Sequence, residues 1–261
     1  MLFFATLVPS AVLEETPQPG IPLKLLAGKP VVDTVFINGQ GPYRFLLDTG
    51  SQSNQIDAEL ARKLGIADTL RLDLETPSGE STVHGGHVSE LSLGPAQATE
   101  QEFLFTRFAD LYPLPPDIRG ILGQEFLSHF DYLLDFEHHR LIFGVSSAVG
   151  MPTTFRLIFG RMAVSTSLGD LVLDSGAEML FLFRPFLHPA VAQVVGASGV
   201  GVPVSIETAP EVRIGNRRYY ASRAEFRPVP AAEEAGLLPA NLFHAIFICN
   251  SKRYVVFNPL R

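Results

Sequence analysis

Short apolar runs of strand length, separated by Gly, Pro, Ser and Asn, make up most of this chain. This pattern predicts a mainly β fold. The runs at 31–37 and 43–47 flank a turn and predict one hairpin, and the runs at 162–166 and 171–173 predict another. Helical periodicity is confined to 57–64, which stops at Gly65, and to a turn or two at 126–130.

These two hairpins begin the two halves of an internal repeat. The first runs into Asp48-Thr49-Gly50, and the second runs into Asp174-Ser175-Gly176, 126 positions later. The segment 120–123 is echoed by 236–239, with Pro239 in place of the final glycine, and each segment precedes a further predicted hairpin. We expect two pseudo-twofold-related halves with a few short helices and a cleft between them.

The predicted boundaries are an N-terminal segment over 1–19, one lobe over 20–149 and a second lobe over 150–261. Apolar residues fill most of the first 13 positions, a stretch shorter than the roughly 20 residues of a membrane span. No stable membrane span is therefore expected. The stretch has the length of the apolar part of a signal peptide, but no Lys or Arg precedes it. Export to the periplasm is favoured over the cytoplasm, with a buried N-terminus as the alternative.

Composition narrows the classes of function. The 261 residues carry 20 Lys and Arg against 27 Asp and Glu, with no basic run that could follow a phosphate backbone. A nucleic-acid partner is therefore not expected. Cys249 is the only cysteine, which excludes an internal disulfide and a thiolate metal cluster, and we predict no metal and no cofactor. No Gly-x-Ser-x-Gly segment occurs, so a serine hydrolase is not indicated.

The repeated acidic tripeptide is the strongest candidate for chemistry. Both copies follow three apolar residues, and each half later supplies a segment such as Gly120-Ile121-Leu122-Gly123. These segments resemble the signatures of the aspartic peptidases, and specifically a bacterial-type single chain with two retropepsin-like lobes. The resemblance covers about residues 20–260. It implies the acid-protease fold with two β-barrel-like lobes and a peptide or protein substrate.

The resemblance also implies that Asp48 and Asp174 form a catalytic pair. Two carboxyls within hydrogen-bond reach share one proton, because like-charge repulsion prevents both from ionising, and such a pair can hold a water. The sequence thus predicts an aspartic-type endopeptidase that needs neither a metal nor a covalent intermediate. Since one chain contains both aspartates, we expect a monomer. The apolar composition favours apolar subsites around the cut bond.

The neighbours of the two aspartates are predicted to support the acidic loops. Gly50 and Gly176 allow the backbone to approach the carboxylates. The resemblance implies that the hydroxyls of Thr49 and Ser175 bond across the two halves.

The residue after each glycine differs between the halves. Ser51 can donate a hydrogen bond to a carboxylate, whereas Ala177 cannot. This difference predicts a less acidic working range than that of a relative with hydroxyls at both positions.

A cover over the cleft is predicted from the segment 76–86, which resembles the flap of the family. Its candidate flap residues are Ser78, Gly79 and Glu80, and because no tyrosine falls in the stretch, the tip residue is left open. The segment 196–201 is a candidate counterpart in the second half. One flap and two flaps therefore both remain open.

Other interpretations also remain open. The acidic loops could be Asx-type turns without catalysis, or the same fold could be a catalytically silent peptide-binding or scaffolding module. Retention of both aspartates favours the enzyme. His84 and His87 are interpreted as solvated loop residues, and 138–139 as exposed turn residues. Asp135 aligns with Cys249 in the repeat and is predicted to be a structural hydrogen-bond acceptor.

Overall fold

The computed structural model describes residues 20–76, 79–108, 115–185, 192–195, 201–229 and 232–260. The predicted mainly β class is confirmed, because strands predominate in these ranges and the helices are short. The predicted N-terminal segment over 1–19 lies outside the described residues. No described helix has the length and apolar character needed to cross a membrane.

Most described residues lie in 23 short strands. The first half contains β1 (Ile21–Pro22), β2 (Lys24–Leu26), β3 (Lys29–Ile37), β4 (Gln40–Leu47), β5 (Asn54–Asp57), β6 (Leu70–Thr76), β7 (Gly79–Leu93), β8 (Ala96–Thr106), β9 (Ile118–Leu122), β10 (Tyr132–Asp135) and β11 (Arg140–Phe143). The second half contains β12 (Pro152–Ile158), β13 (Arg161–Thr166), β14 (Gly169–Asp174), β15 (Leu180–Leu182), β16 (Ala192–Val195), β17 (Gly201–Thr208), β18 (Val212–Ile214), β19 (Arg217–Tyr219), β20 (Arg223–Phe226), β21 (Gly236–Pro239), β22 (Ala245–Cys249) and β23 (Tyr254–Phe257). The helices are α1 (Ala58–Lys63), α2 (Gln124–Leu127) and a 3-10 helix (Ala240–Leu242).

The internal repeat is present as a repeated strand order. One sheet runs β2-β3-β4-β9-β5-β8-β7-β6, and the larger sheet contains the run β12-β13-β14-β21-β15-β20-β17-β16. In both runs the strand that leads into the acidic loop pairs in parallel with the later apolar segment, β4 with β9 and β14 with β21. Equivalent positions can therefore be assigned residue by residue between the two halves.

The remaining part of the larger sheet, the shared sheet, joins the two halves and has the strand order β1-β11-β10-β22-β23-β12. At its centre β10 and β22 are antiparallel, with Leu134 opposite Ile246. Asp135 pairs with Arg140 at the end of the first hairpin, and Cys249 pairs with Tyr254 at the equivalent place in the second. The internal repeat predicted this equivalence. A pseudo-twofold axis therefore passes between β10 and β22.

The strands that carry the acidic loops are buried on both faces. Phe45 and Leu47 of β4 lie in the main core, whereas Leu46 between them packs in a separate cluster. The same alternation holds in β14, where Val172 packs away from the main core. A strand covered on both sides is a continuous apolar run, which explains the apolar triplets before the two aspartates.

The two α-helices differ in how well the sequence predicts them. The expected helix at 57–64 is confirmed, since Asp57 caps α1 through the Leu60 N–H and Gly65 follows its end with a φ of +70°. The second expectation, 126–130, is placed too late. α2 begins at Gln124, because the N–H groups of Gln124 and the next residue donate to carbonyls at the end of the first acidic loop.

Candidate active site

The tertiary fold brings Asp48 and Asp174 together. Asp48 directly follows β4, and Asp174 is the last residue of β14. Each carboxyl packs against the glycine of the opposite loop. A Cβ added to Gly176 would lie 2.6 Å from Asp48 Oδ2, and one added to Gly50 would lie 2.5 Å from Asp174 Oδ2. The two carboxyls face each other across the loops, and each acts on the pKa of the other. Glycine is therefore required at both positions, because any side chain would displace a carboxyl.

Each carboxylate receives two backbone hydrogen bonds from its own loop. The N–H groups of Gly50 and Ser51 donate to Asp48 Oδ1 at 2.9 and 3.1 Å. Those of Gly176 and Ala177 donate to Asp174 Oδ1 at 2.7 and 3.0 Å. The turn of each loop thus holds one oxygen of each carboxyl in a fixed place.

The expected contribution of the Ser51 hydroxyl is wrong. This hydroxyl donates to the carbonyl of Ser53 at 2.9 Å, and it is the Ser51 N–H that reaches Asp48. Ala177 supplies the same N–H to Asp174. Since the two loops offer equivalent donors, the difference between Ser51 and Ala177 gives no reason to expect a less acidic working range.

Two buried hydroxyls lock the loops to each other. Thr49 Oγ1 donates to the Leu173 carbonyl at 2.8 Å and accepts the Ser175 N–H at 3.0 Å. Ser175 Oγ donates to the Leu47 carbonyl at 2.7 Å and accepts the Thr49 N–H at 3.0 Å. The cross-half bonds implied by the family resemblance are therefore present, and they are reciprocal.

The environment of the pair favours retention of a proton. Burial raises the pKa of Asp174 well above its ordinary value, and the negative charge of Asp48 raises it further. Burial also raises the pKa of Asp48, while its hydrogen bonds and the charge of Lys29 act in the opposite direction. Two adjacent carboxyls cannot both ionise without strong repulsion. The pair is thus suited to hold a single shared proton.

Two buried polar residues that support the first loop were not predicted from the sequence. Gln124 Nε2 donates to the Thr49 carbonyl at 2.8 Å, and Asn54 Oδ1 accepts the Gly123 N–H at 3.0 Å. Asn54 and Gln124 are 0% and 3% exposed. The position of Gln124 directly after the Gly-Ile-Leu-Gly segment is a signal that could have found it. Asn54 lies in β5, where three of the four residues are polar, so its burial leaves no such signal in the sequence.

The second half replaces this arrangement with apolar residues. Leu180 stands at the position equivalent to Asn54, and Pro239 stands at the position equivalent to Gly123. Proline has no N–H, so no acceptor is needed opposite it. Pro239 replaces the final glycine of the repeated segment, and Leu180 replaces the asparagine that would have accepted the N–H of that glycine.

The candidate flap lies only partly within the described residues. β6 and β7 form a hairpin in which Thr76 pairs with Gly79 and Glu75 pairs with Glu80, whereas Ser78 lies outside the described residues. β16 and β17 form the equivalent hairpin of the second half, and residues 196–200 between them are also outside. Whether one or both hairpins act as flaps stays a prediction.

The histidines considered as candidate metal ligands or turn residues contact aspartates other than Asp48 and Asp174. His84 and His87 are exposed as predicted, but both lie on β7 and not in a loop. His84 Nδ1 is 2.9 Å from Asp68 Oδ2. His138 is exposed in a turn as predicted, and its Nδ1 lies 2.8 Å from Asp135 Oδ1. Asp135 is thus confirmed as an acceptor. The described part of the chain contains no group of three or more side chains able to hold a metal.

Comparisons with known proteins give one family match, which includes the first acidic loop. The sequence model of the family described as aspartyl protease matches residues 33–126. This match confirms the predicted resemblance to aspartic peptidases. A crystal structure of a retropepsin-like aspartic protease from Rickettsia conorii is 20% identical and covers 47% of this chain and 86% of its own, with a TM-score of 0.35. No curated protein matches the chain.

Proposed function

From the match of residues 33–126 to the aspartyl protease family, we propose that this chain is an aspartic endopeptidase with Asp48 and Asp174 as its catalytic residues. The observation that carries the proposal is the meeting of the two carboxyls, each held by two backbone N–H groups. Peptide hydrolysis needs a base for the attacking water and an acid for the carbonyl oxygen and the leaving amine. A carboxyl pair with one shared proton supplies both.

In the proposed reaction a water molecule lies between the carboxyls. Asp174, whose pKa is raised by burial and by the charge of Asp48, donates the shared proton to the substrate carbonyl oxygen. Ionised Asp48 accepts a proton from the water as the water oxygen attacks the carbonyl carbon. Asp48 then passes this proton to the leaving amine as the C–N bond breaks. Asp174 takes back a proton from the tetrahedral intermediate as the new carboxyl forms, and the pair returns to its starting state.

The proposal assigns one aspartate to each of two lobes, 20–149 and 150–261. The division is supported by the repeated strand order, whose second copy begins with β12 at Pro152. One chain then contains the whole site, and the active form is a monomer. A sedimentation measurement that gives twice the chain mass of 28.5 kDa would contradict this part of the proposal.

The test is cleavage of a diverse peptide mixture between about pH 3 and pH 7 by the wild type, Asp48→Asn and Asp174→Asn. We expect each variant to remain folded and to lose cleavage by about 1,000-fold or more. Asp33→Asn is the control, because Asp33 is a carboxylate on β3 that pairs with Arg44 at 2.6 Å. This control should cut like the wild type.

The alternative is a catalytically silent peptide-binding or scaffolding module. It would be adopted if the folded wild type cut no peptide in this pH range while it bound peptides with an affinity that neither Asp48→Asn nor Asp174→Asn changed.

A further inference from the structure

One face of the second half, beside the Asp174 loop, carries charged side chains that the proposed reaction does not use. β15 follows this loop, and β20 pairs with it in parallel, with Phe181 opposite Glu225. Leu180, Leu182, Ala224 and Phe226 of these strands lie in the main core. Because side chains alternate along a strand, Phe181 and Glu225 point to the opposite face.

Arg227 extends the same face. Its N–H donates to the Leu182 carbonyl at 3.0 Å, which continues the pairing of the two strands. Its guanidinium carbon lies 5.1 Å from the ring centroid of Phe181 and 5.6 Å from that of Phe183. The guanidinium is thus stacked on two aromatic rings, an arrangement that stabilises a cation.

This face lies beside the Asp174 loop, because β15 and β14 both pair with β21. Lys29 of the first half forms an ion pair of 2.8 Å with Glu178, four residues beyond Asp174. The charge of Lys29 acts on both Asp48 and Glu225. Burial raises the pKa of Glu225, and the charge of Glu178 adds to this effect, while Arg227 and Lys29 oppose it. These four side chains, Lys29, Glu178, Glu225 and Arg227, are called the charged cluster, because their charges act on Glu225 beside the Asp174 loop.

Two atoms of the charged cluster lack hydrogen-bond partners. Glu225 Oε2 and Arg227 Nε are buried and unpaired. Buried polar atoms are normally paired, because leaving one unpaired is unfavourable. Lys29 is already held by Glu178, and Arg227 is stacked on the phenylalanine rings. The carboxylate of Glu225 is thus the group that an incoming donor would satisfy.

The fold itself does not require this unpaired carboxylate. In the first half Leu104 occupies the position equivalent to Glu225 and pairs with Gln55, the equivalent of Phe181. Gln55 accepts a hydrogen bond from Thr106 at 3.0 Å, and Asp57 pairs with Arg119 at 2.7 Å. The Gln55 amide oxygen and the Asp57 carboxylate, on the first-half strand equivalent to β15, are therefore already bonded. The oxygen without a partner occurs at Glu225, whereas the equivalent Leu104 carries no polar group.

We propose that Glu225 is a specificity-determining residue that binds the cationic group of a Lys or Arg side chain of the peptide substrate, in a subsite beside Asp174. The inference rests on the proposed function and adds one charged subsite to a cleft otherwise predicted to be apolar. Lys and Arg carry N–H donors on an apolar stem that can lie against aromatic rings. Since Leu104 replaces Glu225 in the first half, this subsite lies on one side of the cleft and sets the direction of the bound peptide.

The test uses peptides that share one cut bond and carry Lys or norleucine at one position at a time. We expect the wild type to prefer Lys by about tenfold in kcat/KM at one position and to disfavour Glu there. Glu225→Gln should abolish that preference. Glu102→Gln is the matched control, because Glu102 is an exposed glutamate on β8, the strand equivalent to β20. The control should retain the preference.

Binding separates this inference from the proposed function. In an Asp48→Asn background, calorimetry should show the same preference for Lys, and the added Glu225→Gln change should remove it. If the wild type cuts no peptide while the binding preference persists, the proposed function fails and the subsite stands. If the wild type cuts and binds the Lys and norleucine peptides equally at every position, the subsite is overturned while the proposed function stands.

Discussion

At the scale of single residues, the two acidic loops depend on groups that are buried and fully bonded. Thr49 and Ser175 are 0% and 1% exposed, and each hydroxyl both donates to and accepts from the opposite half. An apolar side chain could fill the same volume, but it would leave a buried N–H and a buried carbonyl unpaired. The hydroxyls therefore fix the distance between the two aspartates.

Replacement of Thr49 tests this statement. Thr49→Val keeps the shape of the side chain but leaves the Ser175 N–H and the Leu173 carbonyl without this partner. We expect the free energy of unfolding in urea to fall by about 2–4 kcal/mol. Thr49→Ser retains the hydroxyl and should cost less than about 1 kcal/mol. Equal losses in both variants would show that the hydroxyl bonds contribute nothing.

The raised pKa of Asp174 predicts a pH-dependent change in stability. Its ordinary value is 3.8, and the folded value lies well above this because of burial and the charge of Asp48. Between these two values the folded state binds a proton that the unfolded chain releases, so stability falls as pH rises through that range. Asp174→Asn removes this loss.

The variant should therefore melt at a higher temperature than the wild type near pH 7, and at a similar temperature below about pH 3. Thermal melts across this range measure the difference, and cleavage should be lost throughout. A difference in melting temperature that is the same at every pH would contradict the assignment of the raised pKa to Asp174.

At the scale of elements, the two halves keep the same strand pairings, but some residues that contact each other differ together between the halves. Asn54 accepts the Gly123 N–H in the first half, and Leu180 and Pro239 take these positions in the second. Leucine in place of Asn54 alone would leave the Gly123 N–H without an acceptor. Proline in place of Gly123 alone would leave the Asn54 side-chain oxygen without a donor. The two positions are thus expected to be energetically coupled.

A double-mutant cycle measures this coupling. Pro239→Gly introduces a backbone N–H opposite apolar Leu180 and should cost about 1–3 kcal/mol in urea unfolding. Leu180→Asn alone places an amide in the core and should also be destabilising. We expect the double variant to be more stable than the sum of the single effects by about 1 kcal/mol. Additive losses would contradict the matched exchange.

At the scale of the whole molecule, the two halves share a core. The main buried cluster contains residues of both halves, such as Phe45 and Leu173, and β10 pairs with β22 across the pseudo-twofold axis. Separate unfolding of one half would expose the strands of the shared sheet in the other. We therefore expect the two halves to unfold together.

Calorimetry tests this cooperativity. A single transition in which the calorimetric and van't Hoff enthalpies agree is the expected result. Leu134→Ala at the centre of the shared sheet should lower the melting temperature of the whole molecule, because Leu134 is 1% exposed opposite Ile246. Two resolved transitions, of which Leu134→Ala shifts only one, would indicate that the halves are independent.

The sequence by itself determined the features that depend on neighbours in the chain. The hairpins, the helix at 57–64, the acidic loops and their repeat could be predicted, because apolar periodicity, turn residues and the cap at Asp57 act over a few positions. The repeat also aligned Asp135 with Cys249, at the start of a hairpin turn whose His138 N–H donates to Asp135.

Only the tertiary structure decided which groups become partners over long separations. It directs the Ser51 hydroxyl away from Asp48, starts α2 at the carbonyls of the first acidic loop, and buries Asn54 against Gly123. It also leaves Glu225 Oε2 without a hydrogen-bond partner opposite Phe181, while the equivalent position in the first half is the apolar Leu104. The energy of a buried polar group depends on the donors and acceptors that packing brings within about 3 Å, and no local pattern specifies these.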